Sequence, residues 1–462
     1  MSRLWDRGDS TPDEAVERFT VGDDPELDRE LVAWDALASA AHATMLAEIG
    51  VLDAAERDGL LGELAAIAAD ARAGRFVIAR EEEDGHTAIE NRLTRALGDA
   101  GRKVHTGRSR NDQVIAALRL WGRDALAQAI DGVIAVAGDL ADLAERHRET
   151  SLPGYTHTRQ AMPSTLGFLF AAHAEGLADA LPWMETALAH LDRSPLGSAS
   201  GYGVPLPLDR RRVAELLAFA AVQENTLAVQ NDRGRGEHLA LVAVALPLSD
   251  LGRLAVDLIA FSSDEHRFLT LSPAVTTGSS IMPQKRNPDA LELVRAAASR
   301  LRSRAAEVAA LYGPLPSGYQ RDLQLTKAPF LDGLRLALDS FAVFRVALAG
   351  LEVDAARCRA AILPATAATD EVYRRIAGGD AFRTAYRAVA ADPAGAVGAD
   401  PAAGDPAETW RRRTHLGAPG ALELAPVRER LVAAAERAAA VRRRFDGAWA
   451  LLPGAVVPAG KG

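Results

Sequence analysis

Between residues 111 and 143, apolar side chains recur in steps of three and four: Val114, Leu118, Trp121, Ala125, Ala129, Val133, Val136, Leu140 and Leu143. That spacing keeps one helical face apolar and predicts a single helix of about nine turns, well beyond the usual globular length. Comparable stretches begin near Ser164, Asp209, Gly236, Pro288 and Thr326, each expected to run for about 25 residues or more. Helices this long and this rich in Ala and Leu belong inside a bundle, and together they carry more apolar surface than one chain can bury. The expected fold class is therefore all-α: three helical regions with a central bundle of long helices, assembling into a multi-helix core in a homotetramer. No alternation of strands with helices is present to build a parallel sheet.

The regions are read as 1–108, with shorter helices broken by Gly50, Gly59, Gly62 and Gly74; 109–363, the long-helix bundle; and 364–462, a small terminal helical region. Residues 392–406 read as a loop by their Pro and Gly content and divide the last region. No internal repeat signals a solenoid.

Composition narrows the function classes. The 53 Lys and Arg against 62 Asp and Glu leave a net charge of −9, which disfavours nucleic acid or an anionic membrane as the main partner. The single cysteine, Cys358, excludes a disulfide framework and a multi-thiolate metal site. No apolar run approaches the roughly 18 residues of a membrane span, since the most suggestive one, 239–248, contains Pro247. Residues 1–10 lack the apolar centre of a signal peptide, so a cytoplasmic enzyme is expected. Arg supplies 49 of the 53 basic residues, leaving Lys103, Lys285, Lys327 and the tail residue Lys461. Where Arg is the default cation, an interior lysine points to a need for a compact ammonium that a planar guanidinium cannot imitate.

Four segments concentrate polar chemistry. In residues 276–289, Gly278 and Pro283 make a loop, while Asn287, Pro288 and Asp289 read as cap, first position and dipole-matching acid of a new helix. Lys285 lies between them. A capped surface turn is the plain reading, but it does not call for a scarce lysine beside Arg286, so a functional loop is favoured. Residues 105–113 (HTGRSRNDQ) place a hydroxyl, a guanidinium and an amide at a helix start, where carboxylates and phosphates bind. Residues 152–157 set His157 beside Thr156 in a Gly-Pro loop, and residues 318–327 gather Tyr319, Gln324 and Lys327. His86, His105 and His157 are scattered, with no His-Glu-x-x-His and no thiolates, so no metal is expected. No nucleophile elbow or phosphate-binding Gly-Lys loop is present, and Arg210–Arg212 reads as a solvated face.

In order along the chain, these segments resemble the fumarase/aspartase superfamily, and within it the branch that cleaves argininosuccinate. GSSIMPQKRNP (278–288) is similar to the superfamily's signature loop, and HTGRSRNDQ (105–113) to a segment specific to the branch. FTVGDDPELD (19–28), LPGYTH (152–157), SPLGSASGYG (194–203) and LPSGYQRDLQLTK (315–327) fit the same pattern, so the resemblance spans roughly residues 15–390. It implies elimination of fumarate from an N-substituted aspartate, argininosuccinate foremost, with no cofactor and with active sites shared between subunits of a tetramer. It also implies roles: Ser279 as base, Lys285 and Asn287 stabilising a doubly charged carboxylate intermediate, and Glu292 paired with His157, the candidate acid for the leaving nitrogen. Ser109, Arg110, Asn111, Thr156, Tyr319, Gln324 and Lys327 match substrate contacts, and His86 and Arg159 positions near the distal end of the substrate.

The chemistry accounts for these residue types. Removing a weakly acidic Cβ proton pushes charge into the neighbouring carboxylate, which needs cationic and amide donors around it. A serine acts as base at neutral pH only when its surroundings activate it. The pattern departs at Thr158-Arg159, where the family has Leu-Gln, and at Gly85, so another N-substituted aspartate is the alternative substrate. Outside catalysis, the alternative is a silent structural member; retention of Ser279, Lys285, Asn287, His157 and Glu292 argues against it.

Overall fold

The computed structural model describes residues 13–398 and 405–453. The expectations for residues 1–10 and Lys461 lie outside these. The longer helices are α1 (Val32–Glu48), α2 (Ala54–Arg72), α3 (Gly85–Leu97), α4 (Arg110–Arg146), α5 (Leu166–Leu191), α6 (Arg235–Phe261), α7 (Asp289–Tyr312), α8 (Lys327–Ala349), α9 (Ala368–Ala377), α10 (Phe382–Ala391) and α11 (Ala425–Ala448). The fold is all-α. Its few strands form two-stranded pairs, of which β1 (Ser151–Thr156) and β2 (Arg159–Thr165) make an antiparallel hairpin between α4 and α5.

The helix expected from the spacing after Asn111 is α4, 37 residues long. It packs along α5 and α8; α6 packs along α5 and α7, and α7 along α8. Leu126, Ile130 and Val133 of α4 share one core with Phe170, Leu177, Leu241, Leu248, Leu301, Phe330 and Phe341. The helices approach closely: a Cβ on Gly333 of α8 would lie 2.4 Å from the Leu241 side chain of α6, so any side chain there would force Leu241 to move within a packed core. A second core joins Leu37 and Leu46 of α1, Leu60 and Leu64 of α2 and Leu93 of α3 to Leu120 of α4. In the C-terminal part, Val372, Ala385 and Val389 form a small core of their own, while α11 leaves it and lies along α4 and α5.

Several expectations change. The stretch from Asp209 gives only a seven-residue helix, Arg210–Leu216. It stops because the buried Arg123 of α4 takes the Leu217 carbonyl (2.6 Å) and the Ala218 carbonyl (3.1 Å), with Ala218 at φ 52°. Arg210 is no solvated charge either: its guanidinium donates to the carbonyls of Leu196, Gln223 and Glu224. Pro247 does not interrupt α6, which by length and composition matches a membrane span yet is mostly buried in the bundle. Residues 393–398 are a short helix rather than loop, and residues 399–404 lie outside the described residues.

Candidate active site

Lys327, the first residue of α8, is 1% exposed. Its Nζ lies 2.5 Å from Asp28 Oδ1 and 2.9 Å from Asp24 Oδ1, both on the short helix Asp24–Asp28. Asp28 also accepts from the Gly85 backbone N–H (2.9 Å), which fixes that short helix against the start of α3. Gln324 donates to the carbonyls of Thr20 (3.0 Å) and Val21 (3.3 Å). At the start of α4, Ser109 and Asp112 form a capping box, and Arg110 reaches back to Asp84 (3.1 Å) and Glu83 (3.5 Å). The helix starts and the 318–327 segment thus converge on one hollow lined by Asp24, Asp28, Glu83, Asp84, His86, Arg110, Asn111, Arg233, Tyr319, Gln324 and Lys327.

Charge in this hollow is finely matched. Burial works against the Lys327 ammonium, but the charges of Asp28 and Asp24 outweigh it and hold its pKa above the ordinary lysine value. Asp28 is itself buried, yet Lys327 keeps its carboxyl below the usual range; Asp24 is pushed up by burial, with Asp28 adding to the rise. His86 is buried with Nδ1 2.5 Å from Asp35 Oδ2. Burial disfavours its cation, but Asp35 more than compensates and raises its pKa. Arg233 lies over the Tyr319 ring, 5.5 Å from its centroid.

Six of the residues singled out in the sequence therefore meet: His86, Arg110, Asn111, Tyr319, Gln324 and Lys327. Ser109 stands beside them as the α4 cap. The others do not line this hollow. Thr156, His157 and Arg159 are exposed at the hairpin tip, where His157 (φ 52°) and Thr158 (φ 59°) take the left-handed backbone that a β-branched residue avoids. Ser279, Lys285 and Asn287 sit on an open loop closed by the pairing of Thr277 with Asn287 and Gly278 with Arg286. Asn287 is not the cap of α7: Pro288 holds that position, because Asn287 is drawn into the strand pair. Lys285 and Lys103 are surface groups in this chain, Lys103 pairing with Glu56. Glu292 is exposed in the first turn of α7, and among the described residues it makes no hydrogen bond or ion pair with His157. Ser279 Oγ accepts from the backbone N–H groups of Met282 (3.1 Å) and Ile281 (3.4 Å).

Reasoning from sequence did not single out Asp24, Asp28, Glu83, Asp84, Arg233 or Arg321. Asp24 and Asp28 stand in the 19–28 segment and Arg321 in the 315–327 segment, but nothing local marks a carboxylate that will face a lysine 299 positions away. Among the described residues, no group of three His, Cys, Asp or Glu side chains is placed to hold a metal ion.

Comparison with known proteins decides the family. A family model described as Lyase matches residues 10–302. The argininosuccinate lyase of Sorangium cellulosum is 48% identical over 429 residues, covering 93% of this chain and 98% of that protein. The chain belongs to the argininosuccinate lyase family. It is accordingly a carbon–nitrogen lyase of the fumarase/aspartase superfamily. Another family member, the argininosuccinate lyase of Stenotrophomonas maltophilia strain R551-3, is 44% identical over 388 residues, 84% of this chain and 90% of that one. The crystal structure of EDDS lyase in complex with formate superposes with a TM-score of 0.76 at 26% identity, covering 96% of this chain and 94% of that one.

Proposed function

We propose that the chain is a cytoplasmic enzyme that cleaves argininosuccinate to arginine and fumarate, working as a homotetramer whose active sites combine residues of different subunits. The observation that carries this reading is the hollow in which Arg110, Asn111, Tyr319, Gln324 and Lys327 meet. Cations, amides and a phenol beside the carboxylates of Asp24, Asp28, Glu83 and Asp84 suit a substrate that carries both carboxylates and a guanidinium. Ser279 takes the Cβ proton: the two backbone N–H groups directed at its Oγ favour the alkoxide, as a base role requires. Lys285 and Asn287 steady the resulting dianion. The C–N bond then breaks with its electron pair going to nitrogen, and His157 supplies the proton.

The grouping of these parts calls for partner subunits, because within one chain the loop of Ser279 and the hairpin of His157 lie outside the hollow. Apolar side chains support assembly. Leu239, Val242 and Leu246 share one exposed face of α6, and Leu293 of α7 is 70% exposed. A second reading, another N-substituted aspartate as substrate, is favoured by Arg159, exposed at the hairpin tip where the family has glutamine. One assay separates the readings: fumarate release from argininosuccinate beside adenylosuccinate, aspartate and other N-substituted aspartates. Argininosuccinate is expected to be cleaved fastest, and Ser279→Ala to leave at most a trace of turnover while still binding substrate in a calorimetric titration. Release from a different aspartate alone would select the second reading, and none from any would end both.

A further inference from the structure

An isolated two-stranded hairpin is at best marginally stable in water, yet β1–β2 presents His157 on an exposed tip. Three attachments hold it. The Gln160 side chain, three residues past His157, donates from Nε2 to the Ala361 carbonyl (2.8 Å) and accepts at Oε1 from the Leu363 N–H (3.0 Å). Both ends of one amide are thus satisfied by the backbone of the segment before α9. Farther down β2, Arg413 donates to the Pro163 carbonyl (2.7 Å) while gripping Asp370 of α9 through Nε (3.0 Å) and Nη2 (2.6 Å). Thr409 also donates to Asp370 (2.9 Å), so the carboxylate is held from two sides. At the base of β1, Trp410 donates to Ser151 Oγ (3.0 Å). All three attachments run to residues 361–413, and none of them lies in the hollow that holds the carboxylate-binding set.

We infer that this C-terminal segment is the mount that sets where His157 stands, with Gln160 and Arg413 as positioning residues for protonation of the leaving nitrogen. The inference rests on the functional reading above. Its physical basis is that the hairpin tip carries strained left-handed backbone at His157 and Thr158, which persists only where the surroundings over-determine it. A small displacement of a general acid is costly to its step and indifferent to steps that do not use it.

That asymmetry supplies the test. In deuterium oxide, Ser279 removes the Cβ proton and exchanges it with solvent. An intermediate that cannot expel its nitrogen then returns to substrate carrying deuterium. Gln160→Met keeps the length of the side chain and removes both hydrogen bonds. The full-length enzyme bearing it is expected to lose about tenfold in kcat with KM changed by less than about twofold. Substrate recovered part-way through the reaction should be richer in Cβ deuterium than with the parent enzyme, as with His157→Asn. Arg413→Lys, which retains a charge for Asp370 but cannot also span to Pro163, should show the same signature in weaker form. Unchanged kcat in both variants overturns the inference. So does a loss of kcat without excess deuterium, accompanied by a lowered melting midpoint, since that marks a support of the fold alone. A parent enzyme that releases no fumarate from any N-substituted aspartate overturns the functional reading and the mount with it. An active parent beside unaltered variants overturns the mount alone.

Discussion

Two carboxylates compete for one ammonium at Lys327, and the balance decides what a substitution there does. With the lysine 1% exposed, Lys327→Met removes the ammonium bonded to both Asp28 and Asp24 and leaves two acids in a site built for a cation. Removing one member of a buried charge group typically costs about 3–5 kcal/mol, and this variant should unfold at markedly lower urea. Lys327→Arg keeps the charge, so it should recover part of that stability while its planar fork fails to reproduce the geometry and activity stays low. Urea midpoints and fumarate release on both variants check this; a Met variant as stable as the parent would show that the pair contributes nothing to folding. Scarcity singles out Lys103, Lys285 and Lys327 alike in the sequence, and burial in the structure makes Lys327 the interior group. Lys103 meets Glu56 at the surface, and a single chain leaves Lys285 in solvent. Scarcity reports which cation was retained at a position, whereas burial depends on what packs over it.

At the scale of elements, the start of α4 carries the most consequence, because it is tied to a second loop. The Asp112 carboxylate accepts from the Ser109 N–H (2.9 Å) at one oxygen and from the Gly197 (3.1 Å) and Ala199 (2.9 Å) N–H groups at the other. Burial pushes its pKa up to about 6 despite these donors. Losing the Ser109 cap by Ser109→Ala should cost about 1 kcal/mol. Asp112→Ala leaves three N–H groups without an acceptor, the two at Gly197 and Ala199 buried and costing roughly 1–3 kcal/mol each, and should cost several times more. Unfolding midpoints of the two variants give the order, and equal losses would show that the link to residues 197–199 is unimportant. The starts of α4 to α8 are legible in the sequence to within about two residues, since caps and apolar steps are local. The failure at Asp209 has the opposite cause: that helix is cut short by Arg123, almost a hundred positions earlier, whose hydrogen bonds turn the backbone at 217–218. No local pattern records such a donor. The site shows the same division, with its motifs readable as segments and its pairing of acids and bases set by tertiary convergence.

For the whole molecule, titration and assembly each give a test. Burial, with Arg108 and Arg253 as respective neighbours, pulls His105 and His173 down to about 4. Each is neutral in the folded chain but gains a proton on unfolding below its ordinary 6.5, so stability is full above that value and falls as pH drops toward 4. Replacing both with Gln should shrink the fall in melting midpoint between about pH 7 and pH 5; an unchanged fall would mean that these groups do not titrate with folding. His86 and Asp112, whose pKa values are raised, act in the opposite direction, which is why the comparison must be made against the parent chain rather than read from the absolute slope. Assembly has a sharper test. If each active site takes the Ser279 loop from one subunit and the His157 hairpin from another, two inactive variants can repair each other. Ser279→Ala chains retain an intact hairpin, and chains with a disabling change at His157 retain an intact loop. After equal amounts are unfolded together and reassembled, a site draws a good loop with probability one half and a good hairpin with probability one half. About a quarter of sites should then be whole, and fumarate release should rise to about a quarter of the parent rate from two near-silent samples. Sites built within single chains would never combine the two intact parts, and the mixture would stay as silent as its components. Light scattering on the same mixture separates a failure of sharing from a failure to form tetramers.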